Sequence, residues 1–89
     1  MSSETFTVLA VCTGNLNRSA LAEALLRTWA GWYLPESVAA QVTVTSAGLS
    51  APVGSHMRTR SRTIAATLGA DASGHRAVQV GEAAIRDAD

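Results

Sequence analysis

At 89 residues the chain has room for one small domain, which excludes a multidomain enzyme, a TIM barrel or a two-lobed nucleotide enzyme. A hydrophobic fraction of 47% is ample for a core, so global disorder is excluded as well. Seven basic residues, all Arg, balance seven acidic ones at a formal net charge of +0, and no basic field invites nucleic acid or a membrane surface.

The opening Met1 to Thr5 is polar and lacks a positively charged start, so it does not read as a signal peptide. The longest apolar run, Val8 to Cys12, is far too short to span a bilayer. Phe6 to Val11 is β-rich and apolar and predicts a buried strand. Thr13 to Asn17 follows as a turn built from residues that tolerate positive φ. From Arg18 the period changes: Leu21, Leu25 and Trp29 recur every four residues and predict a helix ending near Gly31. Gln41 to Ser46 alternates Val with Thr and predicts a second strand, stopped by Ala47-Gly48 and parallel to the first through a right-handed crossover.

A loop through Pro52 and Gly54 leads to a helix over Arg62 to Leu68, with Ile64 and Leu68 at helical spacing and Gly69 as its C-terminal cap. Val80 to Ala88 reads as a last helix. With no repeat, linker or low-complexity tract, residues 1–89 read as a single unit. Two parallel strands make a poor core, because parallel sheets need cover on both faces and more strands. The expectation is the N-terminal part of a larger α/β domain, whose open strand edge invites self-association.

Chemistry concentrates in Cys12-Thr13-Gly14-Asn15-Leu16-Asn17-Arg18-Ser19. A strand end that wraps within six residues into a helix N-terminus turns several backbone N–H groups inward, toward an anion the size of phosphate. Cys12 at the floor of that ring predicts a depressed thiol pKa and a nucleophile. Arg18 can fork onto two oxygens of the same anion. Gly14 and Asn15 suit the strained backbone, and Ser19 can hydrogen-bond the sulfur. A buried structural cysteine in a strand-to-helix turn is the competing account. The lone cysteine excludes an internal disulfide or a multi-cysteine zinc site and fits a reducing compartment, most simply the cytoplasm. His56 and His75 make no metal site, and nothing in the sequence calls for a cofactor.

The segment Val11 to Ser19 followed by Ala22-Glu23 resembles the signature of the low-molecular-weight protein tyrosine phosphatases, and Thr45-Ser46-Ala47-Gly48 and His75-Arg76-Ala77 extend the resemblance along essentially the whole chain. It implies a three-layer, doubly wound α/β fold, of which the first two strands and about three helices fall in this chain. It further implies a phosphocysteine intermediate with Cys12 as nucleophile, Arg18 as phosphate ligand, Thr13, Gly14, Asn15, Leu16, Asn17 and Ser19 as the phosphate loop, and Asn15, Ser19, Ser46 and His75 as the network that holds it. Its substrates would be a phosphotyrosine protein or small phosphomonoester, with phosphate, sulfate or vanadate as ligands.

Asn17 stands where many members carry a second cysteine, Ala20 replaces a frequent proline, and Leu49 to Val53 lacks the aromatic residue that often walls the phosphotyrosine slot. The family's general acid, an Asp far toward the C-terminus, is absent; Asp87 and Asp89 read as solvated charges. Weak hydrolysis of activated aryl phosphates is therefore the expectation. The alternatives are a non-catalytic oxyanion-binding module and an arsenate reductase of the same fold. Elsewhere, Arg58, Arg60 and Arg62 read as a solvated basic face, and Trp29, Trp32 and Tyr33 as core packing and a helix cap.

Overall fold

A computed structural model describes residues 5–89; the polar start falls largely on residues 1–4, outside the described residues. Strand β1 (Phe6–Cys12) is followed by helix α1 (Arg18–Tyr33), the short helix α2 (Glu36–Ala39), strand β2 (Val42–Gly48), and helices α3 (Thr59–Thr67) and α4 (Glu82–Asp87). The two strands pair in parallel, as alternating β-branched residues around a helical crossover require, in a register running from Phe6 opposite Val42 to Cys12 opposite Gly48.

Because side chains alternate across a strand, Val8, Ala10 and Cys12 share one face with Val44, Ser46 and Gly48. Helix α1 crosses that face. Arg27 reaches the Val44 carbonyl at 2.7 Å, and Leu26 and Trp29 line an apolar groove with Val8, Val42 and Val44. The core lies at the other end of α1, where Ala20, Met57, Ala65, Ala70 and Ala72 are buried and Leu21, Ala24 and Leu25 pack against them.

Four helices stand where about three were expected. Helix α1 passes Gly31 and runs to Tyr33, because Pro35, which cannot continue the ladder, is the actual stop; α2 starts immediately after it. Strand β2 does not stop at Ser46 but extends through Gly48, which pairs with Cys12 on one side and bridges Gln79 on the other. Helix α3 begins three residues early, at Thr59, and its buried face is Ser61 and Ala65; Ile64 and Leu68 remain 41% and 43% exposed. Ala65 joins Ala20 and Met57 in the core cluster, and Ser61 turns to the Asn17 side chain. Gly69 is the cap predicted, with φ 91° and the Ala70 and Gly69 amides returning to Ala65 and Ala66. Trp32 and Tyr33 are exposed rather than core, with the Trp32 ring lying over Gly69.

The open edge of β1 is engaged at one point. Asp89, read as a solvated charge, brackets Thr7: its N–H donates to the Thr7 carbonyl at 2.9 Å and its carboxylate accepts the Thr7 N–H at 2.9 Å. Among the described residues no helix is long and apolar enough to cross a membrane.

Candidate active site

The loop 13–17 leaves the end of β1 and enters α1, and its main-chain carbonyls bond away from its centre. The Thr13 carbonyl accepts from the Ser50 N–H at 2.8 Å, and the Leu16 carbonyl from the Arg58 N–H at 3.1 Å. The Asn15 carbonyl meets His75 Nε2 at 2.7 Å; a carbonyl only accepts, so the proton sits on Nε2. Peptide units whose oxygens are tied outward turn their N–H groups the other way. The Asn15 N–H lies 3.3 Å from Cys12 Sγ, and the Gly14 and Ser19 amides also help to lower the thiol pKa.

Asn15 is the loop's fulcrum. It is fully buried, with φ 56°, a left-handed conformation that Asn tolerates better than most residues. All of its polar atoms are used: Nδ2 donates to Ser19 Oγ and to Ser46 Oγ at 2.9 Å each, and Oδ1 accepts the Val78 N–H at 2.8 Å. Ser46 in turn donates to the Glu23 carboxylate, which Arg27 holds from the next turn of α1. Ser19, Glu23 and Arg27 stand at i, i+4 and i+8, one row on the face of α1 turned to β2. On the opposite flank, Ser61 of α3 donates to Asn17 Oδ1 at 2.9 Å.

Gly48 forms the platform beneath the loop. A Cβ there would sit 2.7 Å from the Thr13 carbonyl oxygen and 2.9 Å from the Asn15 nitrogen and the Gly14 carbon. All three are backbone atoms that no rotamer change can move, so only glycine lets the loop close.

Cys12 is half-buried, its sulfur 3.0 Å from Ser19 Oγ. Burial pushes the thiol pKa up, but the Ser19 hydroxyl and the Ser19, Asn15 and Gly14 amides stabilise the thiolate by more, and the pKa falls from 9.0 to about 7. Arg18 opens α1, exposed, its side chain without an ion pair among the described residues. Leu16 is half-buried at the loop's crest and His75 half-buried behind it. The structure thus gathers Cys12 through Ser19, Ser46 and His75 around one loop.

Sequence reasoning missed several contributors. Gly48 was read as the end of a strand, Glu23 and Arg27 received no role, and the Val78 amide carries no side-chain signal. The four-residue spacing from Ser19 to Glu23 to Arg27 was the signal available for that pair.

The sequence model described as low molecular weight phosphotyrosine protein phosphatase matches residues 7–89. No curated protein sequence matches. Among solved structures, the tyrosine phosphatase AmsI of Erwinia amylovora is 29% identical with a TM-score of 0.80, over 96% of this chain and 50% of that one. YfkJ from Bacillus subtilis is 29% identical with a TM-score of 0.87, over 100% of this chain and 55% of that one. The YwlE arginine phosphatase from Geobacillus stearothermophilus is 35% identical with a TM-score of 0.75, over 93% of this chain and 48% of that one. The chain spans about half the length of these structures.

Proposed function

The chain belongs to the low molecular weight phosphotyrosine protein phosphatase family, and from that premise we propose that it binds phosphate monoesters in the 12–19 loop and hydrolyses them through a phosphocysteine. The observation that carries the reading is the pairing of a low-pKa sulfur with inward amides and outward carbonyls. A phosphoryl group seated in the bowl takes its oxygens' hydrogen bonds from the loop N–H groups and the positive end of α1. The free Arg18 guanidinium forks onto two of those oxygens.

The Cys12 thiolate lone pair forms the S–P bond as the P–O bond to the leaving group breaks. The departing oxygen takes its proton from water, because the nearby Glu23 is already held by Ser46 and Arg27 and Asp89 by Thr7. Water then attacks phosphorus, its proton neutralising the hydroxide left by the first step, the S–P bond breaks, inorganic phosphate leaves, and the returning thiolate is received by the Ser19 hydroxyl. With no positioned acid among the described residues, these residues alone react with aryl phosphates that have good leaving groups while alkyl phosphates lag, a deficit of about 10²–10⁴-fold. Leu16 offers the leaving ring an apolar contact. A reducing compartment such as the cytoplasm keeps the lone thiol free, and an arsenate reductase would need further thiols to resolve its adduct.

The test is hydrolysis of p-nitrophenyl phosphate by the chain, with vanadate as inhibitor and Cys12→Ser and Arg18→Ala as variants. Slow, vanadate-sensitive turnover, abolished in Cys12→Ser and weakened in Arg18→Ala, supports the reading. Turnover that survives Cys12→Ser overturns it. Stabilisation by phosphate with no turnover at all selects the non-catalytic oxyanion-binding module.

A further inference from the structure

A groove runs along the outside of the loop crest. Leu16, Pro52, His56, Met57, Arg58 and Arg62 line it, and no acidic residue does. It shares a wall with the phosphate bowl, because Leu16 belongs to both and the Arg58 N–H holds the Leu16 carbonyl at 3.1 Å. Three of the chain's seven basic residues, Arg58, Arg60 and Arg62, fall within five positions here, and none makes a salt bridge among the described residues.

Their placement runs against local preference. Arg58 occupies the N-cap of α3, where an acceptor side chain normally takes an orphan amide. Arg60 and Arg62 follow in the first turn, which holds no acidic residue. Cations at the positive end of a helix repel its dipole, so the cluster is unfavourable on its own and an anion would offset it. The Arg62 side chain is, in addition, incompletely paired. One of its terminal nitrogens meets Thr59 Oγ1 at 3.2 Å, yet its Nε–H is buried with no acceptor. A guanidinium donor left without a partner among the described residues is uncommon in a folded protein; Nε itself is shut off from solvent, and Arg62, half-buried as a residue, meets an anion through its terminal nitrogens.

We infer that this groove is a specificity subsite for a carboxylate side chain flanking the phosphorylated residue of a peptide substrate. The inference rests on the phosphate-binding reading of the adjoining loop. The groove adjoins the bowl through Leu16, and an extended peptide advances about 3.3–3.6 Å per residue, so the side chains nearest the phosphorylated residue are the ones it meets. Leu16 supports the ring or stem of the phosphorylated residue, and Arg58 and Arg62 take the neighbouring Asp or Glu. A carboxylate is favoured over a nucleic-acid backbone because the cluster is small and the chain as a whole carries no net charge.

The test is direct binding, by fluorescence anisotropy at low salt, of labelled phosphotyrosyl peptides with acidic, neutral or basic residues one and two positions to either side. The wild-type chain binds the acidic peptide about fivefold more tightly than the neutral one and the basic one least. The preference shrinks as salt is raised, because exposed charges are screened beyond about 10 Å at 0.1 M. In Arg58→Gln/Arg62→Gln the ratio of acidic to neutral affinity falls to about one. Equal affinities for the three peptides in the wild-type chain overturn the inference, as does an acidic preference that persists in the double variant or absence of peptide binding altogether. The wild-type series stands alone should the variant fold poorly. Turnover of p-nitrophenyl phosphate reports separately on the phosphatase reading, which survives a flat peptide series intact.

Discussion

A single hydroxyl sets how reactive Cys12 is near neutrality. Burial alone would raise the thiol pKa, and among the interactions that lower it the Ser19 side chain contributes most, ahead of the Ser19, Asn15 and Gly14 amides. Alkylation by iodoacetamide consumes only the thiolate, so its rate against pH should rise with a midpoint at about 7. Ser19→Ala should move that midpoint upward toward the ordinary 9.0 and slow alkylation at neutral pH severalfold. A midpoint that stays in place would show that the amides suffice without the hydroxyl. Stability follows the same sign: a thiol whose folded pKa lies below its unfolded value contributes fully above 9.0, and the contribution is lost as pH falls through about 7. Ser19 also receives Asn15 Nδ2, so the variant loosens the fulcrum of the loop and folding should be checked beside the rate.

Strand β2 and the loop it supports meet across Gly48, and that contact makes a sharp test. Gly48→Ala would force a Cβ to within 2.7 Å of the Thr13 carbonyl oxygen, with backbone on every side. The expected cost is about 1–3 kcal/mol, at roughly 4–8 °C of melting temperature per kcal/mol for a domain of this size, together with loss of phosphate-induced stabilisation. Gly31→Ala is the matched control. Gly31 lies in the last turn of α1 with nothing within 4 Å of the added carbon, and alanine there should stabilise by about 0.5–1 kcal/mol. Equal effects at the two positions would refute the platform role. Gly48 also marks where the sequence stops being legible. The 12–19 loop could be read directly because strand end, turn and helix start are consecutive and each has its own residue preferences. Ser46 and His75 came from family resemblance, since no spacing rule joins them to Cys12. The buried face of α3 went to Ser61 and Ala65 rather than Ile64 and Leu68 because tertiary packing overrode hydrophobicity. Helix α2 escaped because four residues after a proline leave no period to count.

At the scale of the whole molecule, much of the large apolar surface lies outside. The buried apolar residues are mainly alanines, while Phe6, Val11, Trp32, Leu49, Val53 and Ile85 are each more than 40% exposed. The sheet explains part of this. Phe6 and its even-numbered neighbours turn their backbone groups to β2, so Thr7, Leu9 and Val11 present theirs to the open edge, and Asp89 satisfies Thr7. An apolar, incompletely paired edge strand is a template for another strand. The chain should therefore associate reversibly, with a weight-average sedimentation coefficient that rises with concentration. Val11→Lys places a charge on this edge, on the sheet face away from α1, and should weaken association by at least about tenfold, equivalent to about 1.4 kcal/mol. The same substitution on an exposed helix, at Ile85 of α4, should leave association unchanged if strand pairing is responsible, and should weaken it if diffuse apolar contact is. A wild-type chain that stays monomeric at every concentration would show that the bracket Asp89 places on Thr7 is enough to close the edge.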